Sequence, residues 1–231
     1  MDAESPFAGR GNGLFFLHPS SFCRYAVGMD ESKQEAIGNP AELSRERLAN
    51  GKALCFERIQ WRDERGRERF WETVERVSRR PAVLLIPWLR PSNRLVLVRQ
   101  YRPPAGGKVI EFPAGLADEG EEPGQSGLRE LYEETGYRGR IVSLWPGSFN
   151  SPGLSGEQVR VIHVEIDEME PQNARPEPHP DAGECIEVLR IPDGELPDFF
   201  ERESKAGVLF DSKVAAYVAG FVQSMRLKPE C

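Results

Sequence analysis

The stretch Pro123–Thr135 constrains this chain most. It reads as a helix, with Pro123 suited to the first helical position and Gly136 to the position after the last turn. At about 100° per residue, Glu134 falls near +40° and Glu133 near −60° from Glu130, so the three carboxylates share one face. Leu128, Leu131, Tyr132 and Thr135 occupy the opposite arc. Such a helix has to lay its apolar side on another layer, and the flanking segments offer a sheet. Lys52–Trp61 and Arg69–Val77 alternate around the turn signal Asp63–Gly66 and read as a hairpin. Ala82–Leu89 is a continuous apolar run, as a strand buried on both faces would be, and Pro87 is expected to end it early. Arg94–Tyr101, Lys108–Phe112, Gly139–Trp145, Val159–Ile166 and Glu184–Ile191 complete the strands. Asp193–Lys205 and Asp211–Met225 read as further helices, the second strongly amphipathic. Ala41–Asn50 reads as a short polar helix, and residues 1–40, rich in Gly, Ser and Pro, as a mobile tail. The expected class is α+β, a mixed sheet with helices around it and an N-terminal antiparallel hairpin.

Composition narrows the partners. A formal net charge of −7 gives no general attraction to nucleic acid or to anionic membranes. No apolar run has the length of a membrane span, and Gly13–Leu17 is too short for the centre of a signal peptide. Cys23, Cys55, Cys185 and Cys231 are scattered without a C-x-x-C pair, which predicts reduced thiols and a cytoplasmic protein. His18, His163 and His179 show no ligand spacing, and His163 sits in a strand pattern that predicts a packed side chain.

Three carboxylates on one helical face repel one another, at a few tenths of a kcal/mol per exposed pair and about a kcal/mol or more when desolvated. Arg129, one turn before Glu133, offsets part of this. A divalent cation offsets more, and an all-oxygen donor set suits Mg²⁺. Taken alone, the cluster is equally readable as a solvated acidic face.

The residues around the helix decide between those readings. Gly115, Glu121 and the run Arg129-Glu130-Leu131-Tyr132-Glu133-Glu134-Thr135-Gly136-Tyr137 resemble the Nudix box, G-x5-E-x7-R-E-U-x-E-E-x-G-U with U bulky and apolar. All fixed positions match, and Tyr137 stands where an aliphatic residue is commoner. The resemblance implies an α/β/α sandwich around a mixed sheet and metal-dependent hydrolysis of a nucleoside diphosphate linked to another group. A likeness to the ADP-ribose and ADP-sugar pyrophosphatase branch extends from Lys52 to Phe221. It is carried by Gln100-Tyr101-Arg102-Pro103-Pro104, Ile110-Glu111-Phe112-Pro113-Ala114-Gly115-Leu116, Ser151-Pro152-Gly153-Leu154-Ser155, Ala174-Arg175-Pro176 and Gly183-Glu184.

The match implies roles residue by residue. Glu130 and Glu134 would hold Mg²⁺, or Mn²⁺ in its place, helped by Glu133 and the carbonyl of Ala114. Glu184 would orient or deprotonate the attacking water, with Glu133 as a second catalytic carboxylate. Arg102 and Arg76 align with arginines that contact phosphate, Trp71 with an aromatic that stacks on adenine, and Glu72 and Leu116 with groups beside the nucleotide. The branch also implies a homodimer, with residues 41–80 as the dimerising part, residues 81–226 as the hydrolase domain, and Trp71 and Arg76 serving the neighbouring subunit. Three departures bear on substrate preference. Ala53 follows Gly51-Lys52 where a second stacking aromatic is common, with Phe56 or Trp61 as substitutes; Ser151 and the Pro81 region lack acidic residues seen in relatives. Two alternatives therefore stand beside an ADP-sugar: a GDP-sugar or oxidised nucleotide as substrate, and a domain that senses a nucleotide without cleaving it.

Overall fold

The computed structural model describes residues 38–180 and 183–226. The expected tail before residue 38 lies outside them, as do Cys23, Cys231 and His18.

Two sheets form. The smaller is antiparallel and ordered β1-β2-β3, from Ala41–Asn50 (β1), Leu54–Arg62 (β2) and Glu68–Arg76 (β3). The expected hairpin is thus present, and Ala41–Asn50 forms a third strand where a helix was expected. The reason is tertiary. Arg45 and Arg47 reach across the pairing with β2 to Glu57, which is 2% exposed, so the polar run is drawn out along its neighbour.

The larger sheet carries Ala82–Arg90 (β4), Arg94–Arg102 (β5), Gly107–Glu111 (β6), Ala114–Leu116 (β7), Arg140–Leu144 (β8), Ser148–Phe149 (β9), Gln158–Asp167 (β10), Glu187–Pro192 (β11) and Leu209–Phe210 (β12). It is mixed: β10 runs parallel to β4 and β12 to β6, and the other pairs are antiparallel. β4 continues through Pro87 to Arg90, because its register with β10 is unbroken from Ala82 to Arg90.

Helix α1 (Pro123–Thr135) covers one face, and α2 (Leu196–Lys205) and α3 (Ser212–Arg226) cover the other. Val83 and Leu85 pack with Leu131 and Ile162 under α1, whereas Leu84 and Ile86 pack with Leu196, Phe199, Val214 and Val218. Burial on both faces explains the uninterrupted apolar run of β4. A β-carbon on Gly127 would stand 2.5 Å from Ile162 Cδ1, so the small residues opening α1 let it lie close on β10. Tyr137 is buried at the edge of this core, and its hydroxyl accepts a 2.6 Å hydrogen bond from Arg190 Nε. That partner makes a phenol tolerable where an aliphatic side chain is usual. Among the described residues no helix is long and apolar enough to cross a membrane.

One feature of the sheet sets the position of the site. β4 and β5 pair only at Trp88–Leu95 and Leu89–Arg94 and then part. β6 attaches to β5, β7 attaches to β4, and Pro113 crosses the gap with its carbonyl accepting from Leu85 N–H at 2.8 Å. The segment Phe112–Leu116 is therefore partly strand. It delivers Glu111, Ala114 and Gly115 to the mouth of the split.

Candidate active site

Helix α1 lies against β7, and its acidic face meets the segment Ala114–Leu116. The Glu130 carboxylate fills the place where a β-carbon on Gly115 would stand, with Cδ only 2.0 Å from that point. One turn on, Glu134 Oε2 accepts the Ala114 N–H at 3.1 Å. Glu134 is 5% exposed. Burial pushes its carboxyl up to about 8, and the charges of Glu130 and Glu184 add to the rise against the Ala114 N–H and Arg102. Glu130 is also raised, chiefly by burial, with Glu133 and Glu184 contributing and Arg129 opposing.

Arg129 organises the rest. Its Nη1 donates to Glu130 at 3.0 Å and to Glu133 at 2.8 Å. Its Nη2 donates to Leu116 O and to Glu121, both at 3.2 Å. Glu121 further accepts from Ser126 Oγ at 2.8 Å. The box arginine and first box glutamate thus brace the loop against the helix, while Glu130 and Glu134 face the split.

The helix ends at Gly136, in the left-handed region at φ 74°, with its N–H on Tyr132 O. A β-carbon there would stand 2.3 Å from the Glu177 backbone nitrogen. The proline-rich loop runs across this point, and His179 N–H donates to the free carbonyl of Glu133 at 2.6 Å. Beyond the loop, Glu184 is exposed, and its charge acts on Glu130, Glu134 and Arg102.

From β5, Arg102 donates through Nε and Nη2 to both oxygens of Glu111, at 2.7–3.0 Å. Glu111 also accepts from buried Gln100 at 3.2 Å. Glu111 lies in the matched run Ile110–Leu116 but takes no role from it; its bond to Arg102 depends on β5 and β6 being neighbours, which the sequence pattern does not display.

The fold therefore assembles Ala114, Leu116, Glu130, Glu133, Glu134, Arg102 and Glu184 in one region. Trp71, Glu72 and Arg76 belong to a second group. Trp71 Nε1 donates to Gly153 O at 3.2 Å, Glu72 pairs with Arg58 at 3.4 Å, and Arg76 pairs with Glu157. Among the described residues none of the three bonds to a residue of α1. The loop that Trp71 and Arg76 meet turns tightly at Ser151, whose carbonyl accepts from Leu154 and Ser155. Glu157, also hydrogen-bonded by Asn150, carries no sequence signal. Trp61 lies on the same face of the small sheet as Trp71, because Ile59 pairs with Trp71, while Phe56 lies on the opposite face. His163 is half-buried near Trp145, and burial lowers its pKa, in line with a packed residue.

The donor set fits a hard divalent cation. Glu134 is a desolvated carboxylate with like charges around it and a single backbone donor, a state that a cation would relieve. The carboxylates are at present spread over Ala114, Gly115 and Arg129. Among the described residues no three acidic, His or Cys side chains converge tightly enough to enclose an ion.

A split mixed sheet between helices, with a glycine loop leading into a helix of partly buried carboxylates, defines a hydrolase of the metal-assisted phosphoanhydride type. The family model of the NUDIX domain matches residues 78–205, and the chain belongs to the Nudix family of hydrolases. It is 36% identical over 195 residues to the ADP-sugar pyrophosphatase of Mus musculus, covering 81% of this chain and 89% of that protein. It is 32% identical over 181 residues to the ADP-ribose pyrophosphatase of Saccharomyces cerevisiae, covering 75% and 78%. A crystal structure of an ADP compounds hydrolase shares the fold, with a TM-score of 0.61 at 20% identity over 83% of this chain and 96% of that one. Nudix hydrolases generally use a divalent metal ion.

Proposed function

We propose that this chain hydrolyses the diphosphate bond of ADP-ribose or a related ADP-sugar with Mg²⁺, releasing AMP and a sugar phosphate. The carrying observation is the buried Glu134 beside Glu130, on a complete box, in a chain whose similar proteins include an ADP-sugar pyrophosphatase and an ADP-ribose pyrophosphatase.

Glu130 and Glu134, helped by Glu133 and the Ala114 carbonyl, would hold the ion. When bound, Mg²⁺ neutralises the diphosphate and stabilises charge on the phosphoryl oxygens. Glu184 orients the water and takes its proton as oxygen adds to phosphorus. The bond to the bridging oxygen breaks, and that oxygen leaves on the other phosphate. Arg102 and Arg76 contact the diphosphate, where a planar fork of donors matches phosphate oxygens. Trp71 stacks on the base, with Glu72 and Leu116 beside the nucleotide. The all-oxygen donor set suits Mg²⁺, and Mn²⁺ can take the same place. The assembly is a homodimer in which residues 41–80 carry Trp71 and Arg76 to the partner's site. That neither residue bonds to α1 of its own chain supports this. The location is cytoplasmic, in keeping with the free thiols of Cys55 and Cys185.

The test is product analysis on ADP-ribose, ADP-glucose, GDP-mannose and 8-oxo-dGDP, each with Mg²⁺, with Mn²⁺ and with chelator. Metal-dependent AMP from ADP-ribose or ADP-glucose, well above the others, is the expected result. Preferential turnover of GDP-mannose or 8-oxo-dGDP overturns the substrate class, and tight binding without turnover overturns the enzyme.

A further inference from the structure

Arg102 is held in an unusual way for a residue that has to meet a substrate. Its side chain is 42% exposed, yet Nε and Nη2 are both committed to Glu111, whose own side chain is only 14% exposed. Glu111 is fixed in turn by Gln100, a buried residue on the same strand as Arg102. The three residues lie on one face of neighbouring strands. The register pairs Val98 with Glu111, Gln100 with Val109 and Arg102 with Gly107, so alternate residues 98, 100 and 102 share the face of 107, 109 and 111. The missing side chain of Gly107 leaves Arg102 no cross-strand neighbour there, and its guanidinium folds back along the strand toward Glu111. The Nη1 group has no partner in this arrangement among the described residues, and the charges of Glu134 and Glu184 also act on the guanidinium.

A free arginine on a strand end samples many rotamers, and ordering it on binding weakens affinity by about two- to tenfold. A bidentate carboxylate removes much of that cost before the substrate arrives. We infer that Glu111, seated by Gln100, is a positioning residue that orients Arg102 so that its remaining Nη1 edge is presented to a diphosphate group in the split of the sheet. The inference rests on the proposed reading of Arg102 as a diphosphate contact. The carboxylate of Glu111 is taken up by Gln100 and Arg102, and it acts through Arg102.

A double-mutant cycle tests this with Glu111→Gln, Arg102→Ala and the pair, read on two quantities: kcat/KM for ADP-ribose and binding of inorganic diphosphate with Mg²⁺. Glu111→Gln is expected to lower both by up to about tenfold. In the Arg102→Ala background the same change should cost less than about twofold, because nothing is left to position. Glu111→Asp, which keeps the charge, should recover part of the loss. Equal losses in both backgrounds, or wild-type behaviour of Glu111→Gln, overturn the inference. If Glu111→Gln does not fold, Gln100→Leu replaces it in the cycle with the same expected coupling to Arg102. A wild type inert on all ADP-sugars sinks the proposed function and leaves the binding cycle to judge Glu111. A wild type that binds no diphosphate overturns the inference as well.

Discussion

Glu130 and Gly115 occupy one another's space: the carboxylate of the helix stands where any side chain at the loop position would begin. Gly115→Ala therefore displaces Glu130 by an ångström or more from its seat. Since a shift of about 1 Å in a reacting group can cost on the order of 10²-fold, metal-dependent turnover should fall by that order. The melting temperature should change by only a few degrees, because Arg129 still braces Glu130. Steady-state kinetics beside thermal unfolding checks this, and unchanged turnover would show that Glu130 is not needed at Gly115.

Glu134 makes the metal-free protein sensitive to alkali. Its carboxyl, 4.5 when unfolded, stands at about 8 in the fold. A raised carboxylate contributes stability that is present below pH 4.5 and lost as pH climbs to about 8. Metal-free protein should lose on the order of a few kcal/mol of stability across that window. Glu134→Gln should flatten the loss while reducing turnover by orders of magnitude. Denaturant titration of both proteins at several pH values, in chelator, reads it directly. A wild-type slope retained in the variant would place the titration elsewhere.

Glu57 gives the opposite dependence. Against the cost of its burial, hydrogen bonds from Arg79, Arg45, Cys55 and Arg47 hold its pKa down to about 2. A depressed carboxylate contributes stability present above pH 4.5 and lost as pH falls toward 2. Replacing it with Gln leaves Arg45 its contacts to Glu42 and Glu75 and Arg79 its contact to Glu75, but removes the buried carboxylate that Arg45, Arg47 and Arg79 share, and the small sheet should lose about 3 kcal/mol. Far-UV dichroism and proteolysis near Asn50 and Arg79 would report loosening of β1. Resistance equal to wild type would mean that the strand is held by its backbone ladder alone.

Gly136 serves the site indirectly. An alanine there is strained at φ 74° and meets the Glu177 backbone at 2.3 Å. Gly136→Ala should cost about 1–2 kcal/mol from the backbone conformation and more from the displaced loop. Because that loop leads to Glu184, kcat should fall more than KM rises. A drop in stability with normal kcat would separate the loop's anchoring from catalysis.

Much of the architecture is readable from local pattern. The bounds of α1 follow from Pro123, Gly136 and the 3.6-residue period, and the apolar run of β4 announces burial on two faces. β1 is misread because its few apolar residues, Leu43 and Leu48 among them, show no strand alternation; the strand form depends on Glu57, twelve residues beyond Arg45 and ten beyond Arg47. β7, β9 and β12 are two or three residues long, too short to carry a period of their own, and exist only by pairing with β4, β10 and β6.

The site divides along the same line. The carboxylates of α1 are legible because helical geometry alone brings residues three and four apart onto one face. The spacing from Gly115 to Glu130 marks the loop that meets them. What pairs across strands is invisible until the sheet exists: that Arg102 is seated by Glu111, that Arg76 faces Glu157, that Trp61 shares a face with Trp71, and that β4 and β5 part to make room for Ala114. The sequence by itself determined the helix, its charge and the class of chemistry, since these rest on contacts within a turn or two of chain. Only the tertiary structure decided the burial that lifts Glu134 and the partners that orient the arginines, because desolvation and cross-strand bonding depend on segments far apart in the chain.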